Sequence, residues 1–351
     1  MKKKIAFFVD NLNVGGIQKS IVNILNRLDY NKYEVDLYIF SNNNFYEITD
    51  KANIIYLKKP LYIFKLLPFN LVKRIMKIDI KDKQYDVSID FDSYQMHTAI
   101  GALNCNSKKK AIWIHNDICI KKKEEIKYRI LYFLFKSKYK FFDIFCAVSD
   151  GAMASFKRLN MFENKKYYVI PNYINTQEIK CKLNEKCDFK FNDKLVNIIS
   201  VGRLCHQKGY DIMLKTIKEL TEFRTDFHLY IIGDGPQKEE LHRIVDEYNI
   251  CEYVTFLGNQ KNPFKYLKNA DLFYLSSRYE GQGMVILEAM SAGLDVLIPK
   301  HLEKYCPNVH GVDSVLDFLK TYKKSNSKKV FDDLSDYNNK IDTLLSKVLN
   351  G

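Results

Sequence analysis

The sequence predicts an α/β protein built from two doubly wound parallel-sheet domains. An apolar strand, a glycine-containing loop and a helix follow one another over residues 4–28, and the same order restarts at residue 196. Between these points, apolar strand candidates alternate with helical stretches, which is typical of parallel sheets. The length of 351 residues suggests two domains, and a hydrophobic content of 46% suffices for two cores.

The first domain begins with a strand at residues 4–9, a loop at 10–16 and a helix at 17–28 whose apolar residues recur with helical spacing. Later strand candidates occupy residues 35–40, 53–57, 86–89, 110–114 and 144–148. In a doubly wound domain, ligands bind beyond the carboxyl ends of the strands. Gly15 and Gly16 lie in such a position, although a tight turn explains two glycines equally well.

Polar side chains follow three later strands of this domain. Asp90 and Asp92 follow one strand, His115 and Asn116 follow a second, and Ser149 follows a third. The carboxyl ends of parallel strands meet at one edge of a sheet, so these residues are candidates for ligand contact. A histidine at a strand end is often an ordinary loop residue, and we expect His115 to be a stronger candidate than Ser149.

The first domain is predicted to end at VIPNYIN, residues 169–175, and the polar, charged residues 176–194 are predicted to form a linker. The second domain then starts with a strand at 196–201. Residues 229–241 predict a further strand, a turn and a helix that has Pro236 near its first turn. Residues 254–260 predict a short strand that ends in a turn at Gly258.

Two cations lie close to the first turn of the second domain. Gly202 and Arg203 directly follow the strand, and Lys208 precedes a glycine at the start of the next helix. A lysine and an arginine that bracket such a turn suit a diphosphate group. Ordinary surface charge is the alternative interpretation.

The second domain contains the most informative stretch, residues 277–300. It begins with a predicted loop of four residues, Glu280, Gly281, Gln282 and Gly283. A helix is predicted from residue 284 to about 292, and a strand is predicted at 294–298. Glycines allow close backbone approach and leave N–H groups bare at the helix start. Such groups suit anionic or hydroxyl-rich ligands. A capped amphipathic helix with one surface carboxylate is the alternative.

The predicted helix begins with Met284 and Val285 and carries a second carboxylate at Glu288. Apolar residues surround Glu288 in the sequence, so its carboxylate would be costly to bury without a hydrogen-bonding partner. The two carboxylates, Glu280 and Glu288, are thus separated by seven residues of loop and helix.

Three motifs carry a resemblance to a known family. Residues 280–288 match an E-x7-E signature, residues 201–209 match V-G-R-x4-K-G, and VIPNYIN is similar to I-P-N-G-V-D with Tyr173 where glycine is usual. Together they resemble family 4 retaining glycosyltransferases of the GT-B fold, of the bacterial capsular and surface-polysaccharide type. The resemblance covers about residues 1–300 and is weaker after Lys300.

The resemblance implies two Rossmann-like domains facing a central cleft. The first, residues 1–172, would lie on the acceptor side, and residues 173–333 would bind the nucleotide sugar. Residues 334–351 would form a helix that returns to the first domain.

The implied activity is that of a hexosyltransferase-type enzyme, EC 2.4. It would move a sugar from a UDP- or GDP-linked donor to a glycan acceptor, expected to be lipid-linked, with retention of configuration. The resemblance implies catalysis without a metal or another cofactor.

Roles for individual residues also follow from the resemblance. Arg203 and Lys208 would hold the diphosphate, Glu288 the ribose, and Glu280 the sugar hydroxyls, with His115 beside the sugar. The remaining donor-binding candidates are Gly15, Gly16, Gly202, Gly258, Gly281, Gln282, Gly283, Met284 and Val285.

Asp90, Asp92, Asn116 and Ser149 are expected on the acceptor side. Asp90 and Asp92 also match the D-x-D metal signature of the rival GT-A fold. That match is only three residues long and lies outside the half that carries the stronger motifs, so we predict no metal.

Other classes of protein stay open at this point. A GT-B nucleotide-sugar epimerase would turn over the donor without an acceptor, and a non-catalytic partner subunit would bind the donor weakly or not at all. Glu280 and Glu288 could also be a glycosidase pair, but a neighbouring cationic clamp fits a nucleotide sugar better. A nucleic-acid binder would show steep salt dependence, yet no nucleic-acid-binding motif is found.

Charge is distributed unevenly along the chain. Residues 1–172 contain 30 Lys and Arg against 17 Asp and Glu, whereas charges balance in the remainder. The excess suggests an anionic partner for the first half. Residues 61–77 and 121–142 combine bulky apolar and basic residues, which predicts either ordinary helices packed on the sheet or an interfacial surface on anionic lipid.

The sequence predicts a cytoplasmic protein, either soluble or peripheral on the inner face of the cell membrane. The amino-terminal apolar run stops at Asp10, too early for a signal peptide. No stretch approaches the ~20 apolar residues that span a bilayer. The eight cysteines form no CxxC pair, which is typical of reduced thiols.

Overall fold

The computed structural model describes residues 1–13, 15–41, 45–306, 309–325 and 334–350. The chain divides into two compact units. Unit 1 comprises Met1–Tyr173 and Ser335–Gly351, and unit 2 comprises Ile174–Leu334.

Unit 1 contains a seven-stranded sheet in which all paired strands are parallel. Its strand order is β3-β2-β1-β4-β5-β6-β7. The strands are β1 (Lys3–Val9), β2 (Tyr33–Ile39), β3 (Asn53–Tyr56), β4 (Tyr85–Asp90), β5 (Ser107–Ile114), β6 (Ile144–Ala147) and β7 (Lys166–Val169).

Helices cover both faces of this sheet. In β1, the side chains of Ile5, Phe7 and Val9 enter one core cluster, and those of Ala6 and Phe8 enter the other. Successive residues of a strand point to opposite faces, and a sheet covered on both sides needs apolar residues at every position. This explains the uninterrupted apolar run at the start of the chain.

The described part of unit 1 contains seven α-helices. They are α1 (Gly16–Arg27), α2 (Phe69–Ile75), α3 (Met96–Asn104), α4 (Ile118–Glu124), α5 (Ile126–Phe135), α6 (Asp150–Leu159) and α13 (Ser335–Leu349). Short 3-10 turns occupy Tyr62–Leu66 and Lys136–Phe141. The carboxyl-terminal helix α13 contributes Ile341, Leu345 and Val348 to the core of unit 1.

Unit 2 contains a five-stranded parallel sheet in the order β10-β9-β8-β11-β12. The strands are β8 (Val196–Val201), β9 (Phe227–Ile232), β10 (Val254–Gly258), β11 (Leu272–Tyr274) and β12 (Asp295–Leu297). Its described α-helices are α7 (Thr176–Leu183), α8 (Tyr210–Leu220), α9 (Lys238–Glu247), α10 (Phe264–Leu267), α11 (Met284–Ser291) and α12 (Val315–Thr321).

The predicted fold class is confirmed, since both sheets are parallel and doubly wound. One local prediction was wrong. The expected linker at 176–194 contains α7, and Phe189 and Phe191 pack edge-on against Tyr230 of β9. The helix was missed because its sequence is mostly polar and Ile179 is its one fully buried residue. Pro236 lies near the first turn of α9, as predicted, since this helix begins at Lys238 with Gln237 as its amino-terminal cap.

Each sheet has a point where the strand order reverses. In unit 1 this point lies between β1 and β4, and in unit 2 it lies between β8 and β11. The helices that follow the two strands leave to opposite faces there, which opens a crevice at the carboxyl edge. Of the polar residues predicted for the site, Asp92 follows β4, Arg203 and Lys208 follow β8, and Glu280 follows β11. His115 and Asn116 follow β5, and Ser149 follows β6.

Candidate functional site

The crevice of unit 2 brings together two loops that are far apart in sequence. Lys208 belongs to the loop after β8, and Glu280 belongs to the loop after β11. Lys208 Nζ lies 2.7 Å from Glu280 Oε1. The Glu280 side chain is only 6% exposed, and a buried carboxylate is stable only when it is paired and hydrogen-bonded.

The same oxygen of Glu280 accepts a second hydrogen bond. Ser277 Oγ donates to Glu280 Oε1 at 2.6 Å. The other carboxylate oxygen, Oε2, accepts no hydrogen bond from the part of the chain that the structure describes. A carboxylate can accept about four hydrogen bonds, so Glu280 retains the capacity to bind hydroxyl groups.

Further contacts join the two loops into one platform. Arg278 forms a bidentate ion pair with Asp211 at 2.8 and 2.6 Å, and its backbone N–H donates to the Gln207 carbonyl at 2.8 Å. Gln207 Nε2 donates to the Tyr279 carbonyl at 3.1 Å, and Ser276 Oγ donates to the Gly209 carbonyl at 2.9 Å. These bonds fix the position of Lys208 relative to Glu280.

Gly209 is required for this arrangement. It caps α8 with φ of 64°, and a Cβ at this position would lie 2.3 Å from the Ser276 carbonyl oxygen. A side chain would therefore be strained both by the backbone and by the facing loop.

The loop residues Gly281, Gln282 and Gly283 are buried and lead directly into α11. Gly283 caps the helix with φ of 61°, which favours glycine. Met284 and Val285 form the first helical positions, whose N–H groups are not needed by the helix itself. The predicted boundaries of this helix are confirmed within one residue. Glu288 follows in the second turn and is half-buried.

Arg203 is the exposed cation of this site. Its side chain makes no hydrogen bond or ion pair within the described parts of the chain. The stem of Lys208 passes Gly202, where a Cβ would lie 3.5 Å from Lys208 Cε. Gly258 ends β10 with φ of 67°, and its carbonyl accepts from Gly233 N–H at 2.8 Å. All these predicted donor-binding residues of unit 2 thus lie at one sheet edge.

Two contributors to this platform were not predicted from the sequence. His301 Nε2 donates to the Ser277 carbonyl at 2.9 Å, and Cys306 Sγ would lie 3.3 Å from a Cβ at Gly283. Burial raises the pKa of Cys306 to about 12, so it stays a thiol. Both belong to the segment after Lys300, where motif matching ends and no local signal marks a residue as a neighbour of Glu280.

The crevice of unit 1 contains a second group of buried charges. His97 Nε2 donates to Asp10 Oδ1 at 2.7 Å, and Lys59 Nζ lies 2.7 Å from the same oxygen. Burial alone would raise the pKa of Asp10, but hydrogen bonds from His97, Lys59 and Asn11 lower it overall. Asp10 and His97 were not among the predicted site residues, since an aspartate after a strand and a histidine within a helix are common.

Asp90 and Asp92 lie in this group and are both buried. Burial, together with the charges of Asp90 and Asp10, raises the pKa of Asp92 to about 8. Burial also raises the pKa of Asp90 and lowers that of Lys138, whose Nζ lies 3.9 Å from Asp90 Oδ2. These acids are structural neighbours of one another, and contact with an acceptor stays a prediction.

His115 follows β5 and lies close to the end of β4. Its Nε2 lies 2.6 Å from the Phe91 carbonyl oxygen, and the two rings meet edge-on at 4.8 Å. A carbonyl oxygen only accepts, so Nε2 carries the proton and Nδ1 is left as an acceptor. Burial lowers the pKa of His115 to about 4. The imidazole is therefore neutral at physiological pH.

The other predicted residues of unit 1 have clear local contacts. Gly15 caps α1, and Gly16 is its first residue. Asn116 Oδ1 accepts from the Asp117 N–H at 3.0 Å. Ser149 caps α6 by accepting from the Ala152 N–H at 3.2 Å, which is the usual role of serine at a helix start.

The described residues offer neither a metal site nor a membrane-spanning helix. They contain no group of three His, Cys, Asp or Glu side chains arranged to hold a metal ion. Among these same residues, no helix has both the length and the apolarity needed to cross a membrane.

The fold is that of the GT-B glycosyltransferases. Anabaena HepE, crystallised with UDP and glucose, superposes with a TM-score of 0.65 over 98% of this chain and 100% of its own, at 14% sequence identity. Identity this low supports the shared fold and carries no detail of the site.

Family models cover most of the chain. The model described as Glycosyltransferase Family 4 matches residues 14–178, and the model described as Glycosyl transferases group 1 matches residues 182–302. The chain belongs to the family 4 glycosyltransferases, and is thus a transferase of EC class 2.4.

Two relatives illustrate the range of this similarity. An uncharacterized glycosyltransferase of Methanocaldococcus jannaschii is 29% identical over 71% of this chain, and the aligned part spans 64% of that relative, less than two thirds. The N-acetylgalactosamine-N,N'-diacetylbacillosaminyl-diphospho-undecaprenol 4-alpha-N-acetylgalactosaminyltransferase of Campylobacter jejuni is 26% identical, with 85% of this chain and 81% of the relative aligned.

Proposed function

We propose that unit 2 binds a UDP- or GDP-linked sugar and that the enzyme transfers this sugar, with retention of configuration, to a glycan acceptor in surface-polysaccharide synthesis. The donor is a co-substrate, and the proposal includes no metal or other cofactor. We further propose that the acceptor is lipid-linked. The name of the Campylobacter relative describes such an acceptor for that protein.

The observation that carries the proposal is the ion pair between Lys208 and Glu280 beside the exposed Arg203. Two cations at the carboxyl edge of β8 suit a diphosphate, which carries adjacent negative charges. Lys208 is positioned by Glu280, whereas Arg203 has no partner in the described part of the chain and could close on the ligand. The bare N–H groups at the start of α11 add further donors for phosphate or hydroxyl oxygens.

The same groups suit the chemistry of transfer. Negative charge grows on the departing nucleoside diphosphate as its bond to the sugar breaks, and preorganised cations stabilise that charge. We assign this role to Arg203 and Lys208. Glu280 Oε2 would accept hydrogen bonds from sugar hydroxyls, and Glu288 from ribose hydroxyls. The departing phosphate would help to deprotonate the acceptor, as expected for this family.

In unit 1, we propose that His115 contacts the donor sugar. Because its Nε2 proton is held by the Phe91 carbonyl, Nδ1 would accept a hydrogen bond from a sugar hydroxyl. Gly15 and Gly16 would lie against the donor phosphates, and Asp90, Asp92, Asn116 and Ser149 stay candidates for the acceptor side.

A panel of UDP- and GDP-linked sugars tests the donor proposal. Each is incubated with the enzyme and EDTA, and both the melting temperature and slow donor hydrolysis are measured. We expect one donor to raise the melting temperature and to be hydrolysed without metal, and Glu288→Ala to lose the shift. The absence of any response to all donors, or a response that requires a divalent ion, would overturn the corresponding part of the proposal.

A further inference from the structure

Most exposed large apolar side chains of the described chain are concentrated in two segments of unit 1. Scattered exposed apolar residues are normal on protein surfaces, whereas a contiguous group marks an interaction site. The residues concerned are Leu61, Tyr62, Leu66, Leu71, Ile75, Ile126, Ile130, Phe133 and Phe141.

Helix α5 shows the feature most clearly. Ile126, Ile130 and Phe133 are spaced as one stripe and are 65%, 58% and 72% exposed. Tyr132 and Phe135 of the same helix are buried in the core of unit 1. The helix is thus apolar on two sides, although the sheet covers only one. Packing on the sheet explains the buried side and leaves the exposed stripe unexplained.

The two segments lie next to each other. Lys73 Nζ of α2 lies 3.5 Å from the centre of the Phe141 ring, and the 3-10 turn Tyr62–Leu66 is in contact with α5. Beneath the surface, Phe64 and Leu134 pack against the same core cluster. We call the combined exposed surface of residues 61–77 and 126–141 the basic apolar face.

The charge of this face has one sign. Neither residues 61–77 nor residues 126–141 contain an Asp or a Glu. The exposed cations are Arg74, Lys77, Lys127, Arg129, Lys136 and Lys140. A second copy of the chain would bring two positive faces together, and like charges across an interface are unfavourable. Bulky apolar side chains surrounded by cations instead match the boundary between acyl chains and anionic headgroups.

We propose that the basic apolar face docks on the surface of an anionic lipid bilayer. The apolar side chains would enter the headgroup region, and the surrounding cations would contact lipid phosphates. This proposal goes beyond the transfer reaction and does not depend on donor binding. If the proposed lipid-linked acceptor is correct, docking would also bring the enzyme to the surface that holds it.

Co-sedimentation with lipid vesicles tests the proposal. The full chain is mixed with phosphatidylcholine vesicles that contain or lack phosphatidylglycerol. We expect binding only with phosphatidylglycerol, and weaker binding at high salt. Arg129→Ser and Lys136→Ser should each lower the partition coefficient about fivefold, and Ile130→Asp with Phe133→Asp should abolish sedimentation.

Matched control variants test whether vesicle binding depends on the basic apolar face or on any exposed apolar or basic residue. Met161 is 81% exposed and apolar but lies outside the face, and Arg158 is an exposed cation outside it. Met161→Asp and Arg158→Ser should bind vesicles like the unmodified chain. Equal loss in these controls, or unchanged binding by Ile130→Asp with Phe133→Asp, would overturn the proposal.

Two further measurements distinguish lipid docking from self-association and from donor binding. A dimer in size-exclusion chromatography that Phe133→Asp converts to a monomer would assign the face to self-association and overturn lipid docking. Donor-induced thermal shift is measured in the same variants, because the face lies outside unit 2 and should leave it unchanged. Failure of vesicle binding therefore leaves the donor proposal standing, and failure of donor binding leaves the docking proposal standing.

Discussion

The ammonium group of Lys208 lies 2.7 Å from the carboxylate of Glu280, although the two residues are 72 positions apart in the chain. The pair exists because β8 and β11 are neighbours in the sheet at the point where the strand order reverses. Lys208 and Glu280 therefore depend on each other for their positions. Substitutions at the two cations should therefore differ in effect, since Lys208 has a structural partner and Arg203 has none among the described residues.

Lys208→Met should impair both stability and activity. It leaves Glu280 buried without its cation, which costs about 3 kcal/mol of unfolding free energy, and it lowers kcat about 100-fold by removing a charge from the leaving phosphate. Urea unfolding and donor turnover measure the two effects.

The double variant Lys208→Met with Glu280→Gln provides the control. Since it removes both charges, most of the lost stability should return while activity stays low. Recovery of activity along with stability would show that the pair is purely structural.

Arg203→Ala should weaken donor binding without changing the stability of the protein. Its exposed side chain has no partner among the described residues, so stability should change by less than about 0.5 kcal/mol. Loss of a charge-assisted hydrogen bond should raise the donor Kd about tenfold or more. Calorimetric titration with the responsive donor measures it, and Arg243→Ala, an exposed arginine of α9, serves as control. Equal donor affinity in both variants would rule out the diphosphate role.

His301→Ala should lower kcat about three- to tenfold with little change in stability. Loss of one hydrogen bond to the Ser277 carbonyl is worth about 1 kcal/mol, and it loosens the loop that orients Glu280. His301→Gln keeps a donor and should restore most of the rate. His310→Ala, on the same segment and 96% exposed, should behave as the unmodified enzyme. Failure of glutamine to restore the rate would argue against this positioning role.

Deprotonation of Asp92 should lower the free energy of unfolding as pH rises. Its pKa moves from 3.8 when unfolded to about 8 when folded, so the folded state binds the extra proton between these values. The contribution is complete below about pH 4 and is lost as pH rises through about 8. Asp92→Asn removes this titration.

The melting temperature from pH 4 to 8 measures the effect. The melting temperature of Asp92→Asn should fall less with rising pH than that of the unmodified protein. The exposed control Asp79→Asn should show the same pH dependence as the unmodified protein. Parallel curves for Asp92→Asn and the unmodified protein would show that Asp92 is ionised in the fold.

Much of the fold could be predicted from the sequence because the relevant signals are local. The strand Val196–Val201 was predicted at its observed bounds, and the start of α11 follows from the glycines before Met284. Helix α7 was missed because Ile179 is its one fully buried residue. A helix with so little apolar surface has almost no periodicity to detect.

The sequence by itself determined the two α/β units, the cationic loop after β8 and the acidic loop before α11, since each depends on residues that are neighbours in the chain. Only the tertiary structure decided that Glu280 pairs with Lys208, that His97 pairs with Asp10, and that His301 supports Ser277. These pairings depend on the spatial order of parallel strands, which local periodicity does not encode. The same holds for the basic apolar face, because only packing shows which side of α5 stays exposed.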